Sequence, residues 1–334
     1  MSLDEITTKV MGPVLWLLFD PYSEAFWVYW CTSFALAVAA YSKRLGLRTG
    51  LAELQRDALP RGPDGRVALW ADIKYFLVNA LVLQAIQQPL VALFAATGAV
   101  VRAGLEGAFG GPTPALADGL WLHIAVPAVS LGVFVAADLA FYLVHAAFHR
   151  IPLLWEFHKT HHAPKELWFL TNFRDHPVES IPSRVAETVL AGLMTGLPGY
   201  LLGLDTKAQL HDGVLVMAFY ATGRMLGHSR LWIHFGSRLN HIVISPAHHQ
   251  LHHSVAPEHL NRNFGSLLAI WDWMFGTLVV PHGKPVLVYG LALNSGARAY
   301  DATLRSMYLD PFIGAWAMIR RKFARLTRLA RLMR

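Results

Sequence analysis

GLWLHIAVPAVSLGVFVAADLAFYLVHAAFH, residues 119–149, decides how the rest of the chain is read. Gly119 to Ala137 is 19 residues without a charge, and beyond the single acid Asp138 the apolar run continues to His145. A run of that length crosses the roughly 30 Å hydrocarbon layer of a bilayer as a helix, because a helix satisfies its own backbone groups. It closes on HAAFH, so His145 and His149 leave the membrane one turn apart on the same face.

Composition outside this stretch agrees with a membrane protein. Of 334 residues, 54% belong to the AVILMFWYC set and 15% are charged, with mean hydropathy +0.36. Globular chains carry about 25% charged residues, so this one lacks the polar surface of a soluble body. Ala25–Ser42 is uncharged for 18 residues, and Tyr75–Val101 for 27, with Gln84, Gln87, Gln88 and Pro89 marking a kinked helix packed against protein. Thr188–Leu204 is apolar for 17 residues, breaks at Asp205 and Lys207, and returns over Gly213–Gly223, which reads as a hairpin that spans or partly enters the membrane. The expected fold is all-α: an integral membrane helical bundle of about four spanning helices plus a re-entrant or hairpin segment. A cytoplasmic helical cap should carry the remaining histidines. Three parts are expected: N-terminal membrane helices and loops over 1–118, a catalytic domain over 119–280, and a C-terminal segment over 281–334.

The charge distribution gives the orientation. Residues 43–74 hold seven Lys or Arg and residues 102–118 hold only Arg102, so the first loop is expected to be cytoplasmic and the second external. The third helix then delivers His145 to the cytoplasmic face. The net charge of +7 comes entirely from seven basic residues after Pro311; the other 22 balance the 22 acids. Those seven alternate with Phe312, Trp316, Ile319, Phe323, Leu326, Ala330 and Met333, the pattern of an amphipathic helix lying on an anionic membrane surface rather than of a nucleic-acid binder. The opening MSLDEITTK is acidic before it is basic, the wrong order for a cleaved secretory signal, so the N-terminus is expected to stay on the protein. Cys31, the one cysteine, excludes disulfide frameworks and cysteine-built metal clusters.

Eight of the 17 histidines fall into three groups: His145 and His149 in HAAFH, His158, His161 and His162 in HKTHH, and His249, His252 and His253 in HQLHH. Positions i, i+3 and i+4 share a helix face, so each group can aim two or three imidazoles at one point, and two metals use that many nitrogens better than one. The place of a zinc-peptidase glutamate is taken by Ala146, which removes that chemistry. A pair of irons activating dioxygen fits the donor set best. The alternative is a non-catalytic histidine-rich metal transporter or sensor, but transporter sites sit near the bilayer midplane and these histidines sit at and beyond helix ends.

In this order, with the first group closing a transmembrane helix, the clusters resemble those of the fatty acid hydroxylase and sterol desaturase superfamily of membrane di-iron enzymes. The resemblance covers about residues 119–280. It extends to Asp138, the RDHPVE stretch Arg174–Glu179, His228 in HSR, Ser245-Pro246, Asn263-Phe264-Gly265, and WDWMFGT over Trp271–Thr277. It implies that His145, His149, His158, His161, His162, His228, His249, His252 and His253 ligate two irons. It also implies a centre open to the cytoplasm that hydroxylates, less readily desaturates, a membrane lipid with dioxygen and two electrons. Fatty acyl, sphingolipid-like, amino-acid-containing, sterol, hopanoid and carotenoid lipids are the substrate classes. With no dinucleotide fingerprint and no attached cytochrome-like domain, the electrons are expected from a separate ferredoxin, cytochrome or reductase. His176 resembles a recurrent family element and His234 could reach the same site, so membership of these two is left open; His248 should point away from His249, and His123, His211, His241, His259 and His282 receive no role.

A ligating histidine ordinarily donates its other ring nitrogen to a carboxylate or carbonyl. Asp138, two turns before His145 and inside apolar sequence, is the expected partner; Glu156, Asp175, Glu179 and Asp272 rank below it. Trp155, Phe157, Trp168, Phe169, Phe173 and Trp232 are expected to pack or to line the lipid's path.

Overall fold

The computed structural model describes residues 12–19, 26–57, 62–111, 120–202, 223–291 and 303–332. Helices α1 (Gly12–Phe19), α2 (Trp27–Leu45) and α3 (Leu47–Asp57) precede a 48-residue α4 (Gly62–Phe109). Then come α5 (Leu120–Arg150), α6 (Pro152–His162) and α7 (Pro177–Leu202), with a 3-10 turn at Phe169–Phe173 between the last two. Residues 223–291 form only short pieces: a 3-10 turn at Arg224–His228, α8 (Gly236–Leu239), α9 (Pro246–His252), a turn at Pro257–His259 and α10 (Ile270–Met274). A long α11 (Leu304–Leu332) follows. No strand occurs among the described residues; two isolated antiparallel bridges, Val243 to Leu268 and Ser254 to Tyr289, tie the short pieces together.

Three helices are long and apolar enough to cross a membrane: Gly65–Phe109 within α4, Ile124–Arg150 within α5, and α7. They correspond to three of the expected spans. The described part of Ala25–Ser42 is helical within α2, which is not one of those three because the helix runs on into Lys43 and Arg44. The expected loop at 43–74 is also largely helical, since α3 and the first turns of α4 occupy it. Its charges stop the hydrophobic run without stopping the helix. At 48 residues α4 is about 72 Å long, more than twice the hydrocarbon thickness. The return limb Gly213–Gly223 of the expected hairpin lies outside the described residues apart from Gly223.

α7 packs along both α4 and α5, and small residues make the first crossing possible. A Cβ on Gly192 would fall 2.6 Å from Phe94 O, and one on Gly196 would fall 2.8 Å from Gly98 O. In lipid, where solvent does not drive helices together, such small-residue contacts let backbones approach. The outward side chains of these helices, among them Leu81, Val91, Val100, Leu131, Leu193 and Leu197, are exposed apolar groups suited to acyl chains. α11 docks on α6 through Phe312 against Phe157, ring centroids 5.0 Å apart, and through Gly314, which lies against the Glu156 carboxylate. Beyond Ile319 it is exposed on every side, apolar Phe323 and Leu326 included.

Candidate metal centre

Four elements bring nine histidines together. α5 contributes His145 and His149 from its last two turns, α6 contributes His158, His161 and His162, the 3-10 turn contributes His228 at its end, and α9 contributes His249 and His252 with His253 as C-cap. α9 is short but firmly started. Ser245 caps it, Pro246 takes the first turn, and the His248 ring accepts the Ser245 N–H at 3.0 Å, so His248 turns away from its neighbours as expected. Gly223, at φ 93°, turns the chain into the segment that carries His228.

The nine divide into two groups whose nearest ring nitrogens all lie within 4.8 Å of one another: His145, His149, His158, His162 and His252 in one, His161, His228, His249 and His253 in the other. All are buried except half-buried His149. Three of their outer nitrogens are held. His145 Nδ1 donates to Phe264 O at 2.8 Å, His158 Nδ1 to a Glu179 carboxylate oxygen at 2.7 Å, and His252 Nδ1 to Arg262 O at 2.8 Å. Asp175 Oδ1 stands 3.0 Å from His161 Nδ1. A proton on Nδ1 leaves a lone pair on Nε2, and these lone pairs converge. His162 and His252 Nε2 are 3.1 Å apart, His228 and His161 also 3.1 Å, and His249 and His228 2.9 Å. The Nε2 atoms of His149 and His158 are buried with no hydrogen-bond partner among the described residues. Converging acceptors without protons repel unless a cation lies between them, so the donor set fits bound metal.

Electrostatics keep these rings in the ligand form. Burial, and then the neighbouring imidazoles, hold His158, His162, His228, His249 and His253 well below the usual histidine range. His252 is pushed down to about 3 by burial. Neutral imidazole is the species that binds metal.

Asp138 is not the partner of His145. Its carboxylate accepts the N–H groups of Leu267 and Leu268, at 3.0 and 3.1 Å, and Trp271 Nε1 at 2.9 Å. Seven residues of helix are about 10 Å, too far for a side chain to reach back, so Asp138 instead anchors the turn that presents Phe264 O to His145. Asp272 works on the same turn, accepting from Phe264 N, Gly265 N and Thr277 Oγ1 at 2.8, 2.7 and 2.6 Å. Asn263, at φ 55°, pairs with Val279 through both ends of its amide, at 3.0 and 2.7 Å. The carboxylates that do face ring nitrogens, Glu179 and Asp175, ranked lower in the sequence because nothing local ties them to α6. Glu156 pairs with Lys159 at 2.6 Å instead. His176 donates to Tyr308 O at 3.1 Å, and His234 and His241 are exposed; none joins the cluster.

A cavity of about 220 Å³ opens onto His145, His158, His161, His228 and His249. α4 forms its long apolar wall with Phe76, Ala80, Leu83, Ile86 and Leu90, joined by Trp16, Phe141 and Phe173, while Asn79, Gln87, Ser183, Arg184, Glu187 and Arg224 supply polar points. Only Phe173 of the expected aromatic path lines it. Trp155 lines a second cavity of about 350 Å³ on the other side of the centre, beside His149, His162, His252 and His253. Trp168 is tied to Asp72 at 2.5 Å, and Phe157 packs under α11. The α4 wall lies more than 50 residues ahead of His145, and the sequence signal for it is the polar interruption at Gln84–Gln88.

Residues 130–277 match the family model for fatty acid hydroxylase. Over 147 residues, 44% of this chain and 40% of the other, the chain is 32% identical to the ornithine lipid hydroxylase OlsE of Rhizobium tropici. It is 27% identical over 158 residues, 47% of this chain and 32% of the relative, to the alkylglycerol monooxygenase of Danio rerio. Against the fatty acid hydroxylase vlmA of a Lecanicillium species it is 29% identical over 181 residues, covering 47% of this chain and 46% of that one. The chain thus spans less than half the length of these relatives, and no solved structure matches it. All nine converging histidines fall inside the region, residues 130–277, that is similar to the fatty acid hydroxylase family model.

Proposed function

We propose that this chain is a membrane lipid hydroxylase in which His145, His149, His158, His162 and His252 hold one iron and His161, His228, His249 and His253 a second. The observation that carries this reading is the pair of converging imidazole-nitrogen sets, five of whose rings line a cavity with its long wall on α4. When bound, the metals supply the oxidation of an unactivated C–H bond by dioxygen, which no side-chain acid or base can perform. The balance is one C–H bond, one O2, two electrons and two protons in, one alcohol and one water out.

The protein's own part is to hold and exclude. Glu179, Asp175 and the carbonyls of Phe264 and Arg262 fix the tautomers and tilt of the rings. The α4 wall strips water from the alkyl chain and aligns it, which lowers the entropy lost on reaching the reactive geometry. Relatives named for ornithine lipids, alkylglycerols and fatty acids support a substrate among lipids with a polar end. The two electrons come from a separate ferredoxin, cytochrome or reductase.

The centre lies on the cytoplasmic side. The end of α4 that meets it, where Asp72 pairs with Arg174, follows the basic stretch 43–74, whereas the Arg102 end runs with the far end of α7, where Tyr200 Oη donates to Gly110 O. The exposed apolar and basic faces of α11 rest on the same leaflet. Residues 119–280 form the catalytic domain, with α4 lending the substrate wall from outside it.

Lipid mass spectrometry of cells expressing wild type or His158→Ala tests the reading. A lipid one oxygen atom heavier should appear with the wild type alone. Identical profiles, with iron-loaded protein and a competent reductase present, would refute it.

A further inference from the structure

Two arginines line the cavity, and they differ. Arg184 faces Glu187 across 4.0 Å. Arg224, half-buried at the metal end beside His228 and His249, has no carboxylate within ion-pair distance among the described residues. Its one hydrogen bond there is a long one, Nε to Ser266 Oγ at 3.4 Å. The acids nearest the centre are already engaged, Glu179 by His158 and Asp175 by His161. A guanidinium partly withdrawn from water with no carboxylate in contact, and Asp138 acting on it only at longer range, presents a planar donor fork suited to carboxylate or phosphate oxygens. Its field also contributes to keeping His228, His249 and His252 neutral, so it stands in electrostatic reach of the metal site itself.

Depth points the same way. The cavity takes residues 179–187 of α7, just before that helix's apolar run begins at Thr188, and Phe141 and His145 of α5, between Asp138 and the end of that helix at Arg150. Those walls lie at the head-group level. α4 alone carries the cavity deeper, from Phe76 to Leu90, about 21 Å of helix lined mainly by apolar side chains.

Resting on the lipid-hydroxylase reading, we propose that Arg224 binds an anionic carboxylate or phosphate oxygen of the lipid's polar end. The alkyl chain then runs down α4, and the carbon presented to the metal centre lies close to the head group rather than at the chain terminus. Arg224 is on this account a specificity-determining residue.

The test uses the full-length, iron-loaded protein in detergent, with palmitate and hexadecanol as probes that share a chain and differ in the anionic end. Wild type should bind palmitate at least about 10-fold more tightly than hexadecanol, Arg224→Gln should bring the ratio to about one, and Arg224→Lys should fall between, all three retaining iron. Product fragmentation should place the new oxygen in the head-group half of the lipid. Equal binding of both probes by wild type, an unchanged ratio in Arg224→Gln, or an oxygen at the chain terminus would overturn the proposal. Should Arg224→Gln fail to hold iron, the wild-type ratio and Arg224→Lys decide. The binding arm needs no turnover, so the two readings fail separately. A palmitate preference with no oxidised lipid removes the enzyme reading, and oxidised lipid without the preference removes Arg224.

Discussion

Glu179 sits 21 positions after His158 along the chain yet holds its ring at 2.7 Å, and that contact makes a sharp prediction. Glu179→Gln keeps the size but replaces a charged acceptor with a neutral one, so iron affinity should fall about 10- to 100-fold, measured by iron retained on titration with a chelator. Asp138→Asn removes charge from a group that receives three hydrogen bonds and should cost about 1–3 kcal/mol of stability in a thermal melt, with a smaller effect on iron content. The histidines themselves were readable because i, i+3 and i+4 spacing on a helix is a geometric statement. Their carboxylate partners were not. Glu179 and Asp175 reach α6 through space, and the seven-residue spacing of Asp138 favoured a contact that the length of a side chain forbids.

The metal-free protein should also show a pH dependence of defined sign. His252 is held at about 3 in the fold, against about 6.5 in an unfolded chain. Between those values the unfolded state binds the extra proton, so stability is greatest above about pH 6.5 and declines as the pH falls toward 3. Thermal midpoints of metal-free protein near pH 8 and near pH 5 should therefore differ, the lower pH giving the lower midpoint; the reverse order would contradict the assignment.

Among the elements, the crossing of α4 and α7 depends on the missing side chains at Gly98, Gly192 and Gly196. Gly192→Leu has no room beside Phe94 O and Thr97, and the helices must separate. The expected result is a loss of at least about 2 kcal/mol, read as a lower melting temperature in detergent and a disturbed cavity, since α4 and α7 both wall it. Spans over α4, α5 and α7 were legible as uncharged runs. Helix ends were not, because charges such as Lys74 end a hydrophobic run without ending hydrogen bonding. The end of α2 shows the same effect: the uncharged run stops at Ser42, whereas the helix continues through Lys43 and Arg44 to Leu45. The short pieces over 223–291 lack any periodicity long enough to read, and they are placed by Asp138, Asp272 and Asn263 rather than by their own propensities.

At the scale of the whole molecule, an apolar wall on α4 leads to the point where nine imidazoles meet. Neither the composition nor the charge count requires that arrangement. The account therefore stands on the metal. Elemental analysis of the purified full-length chain, reconstituted anaerobically with ferrous iron, is the direct measure. About two irons per chain should be found, with about one remaining in His249→Ala, which alters only the four-histidine group. A single metal per chain in the wild type, or zinc retained in preference to iron, would contradict it.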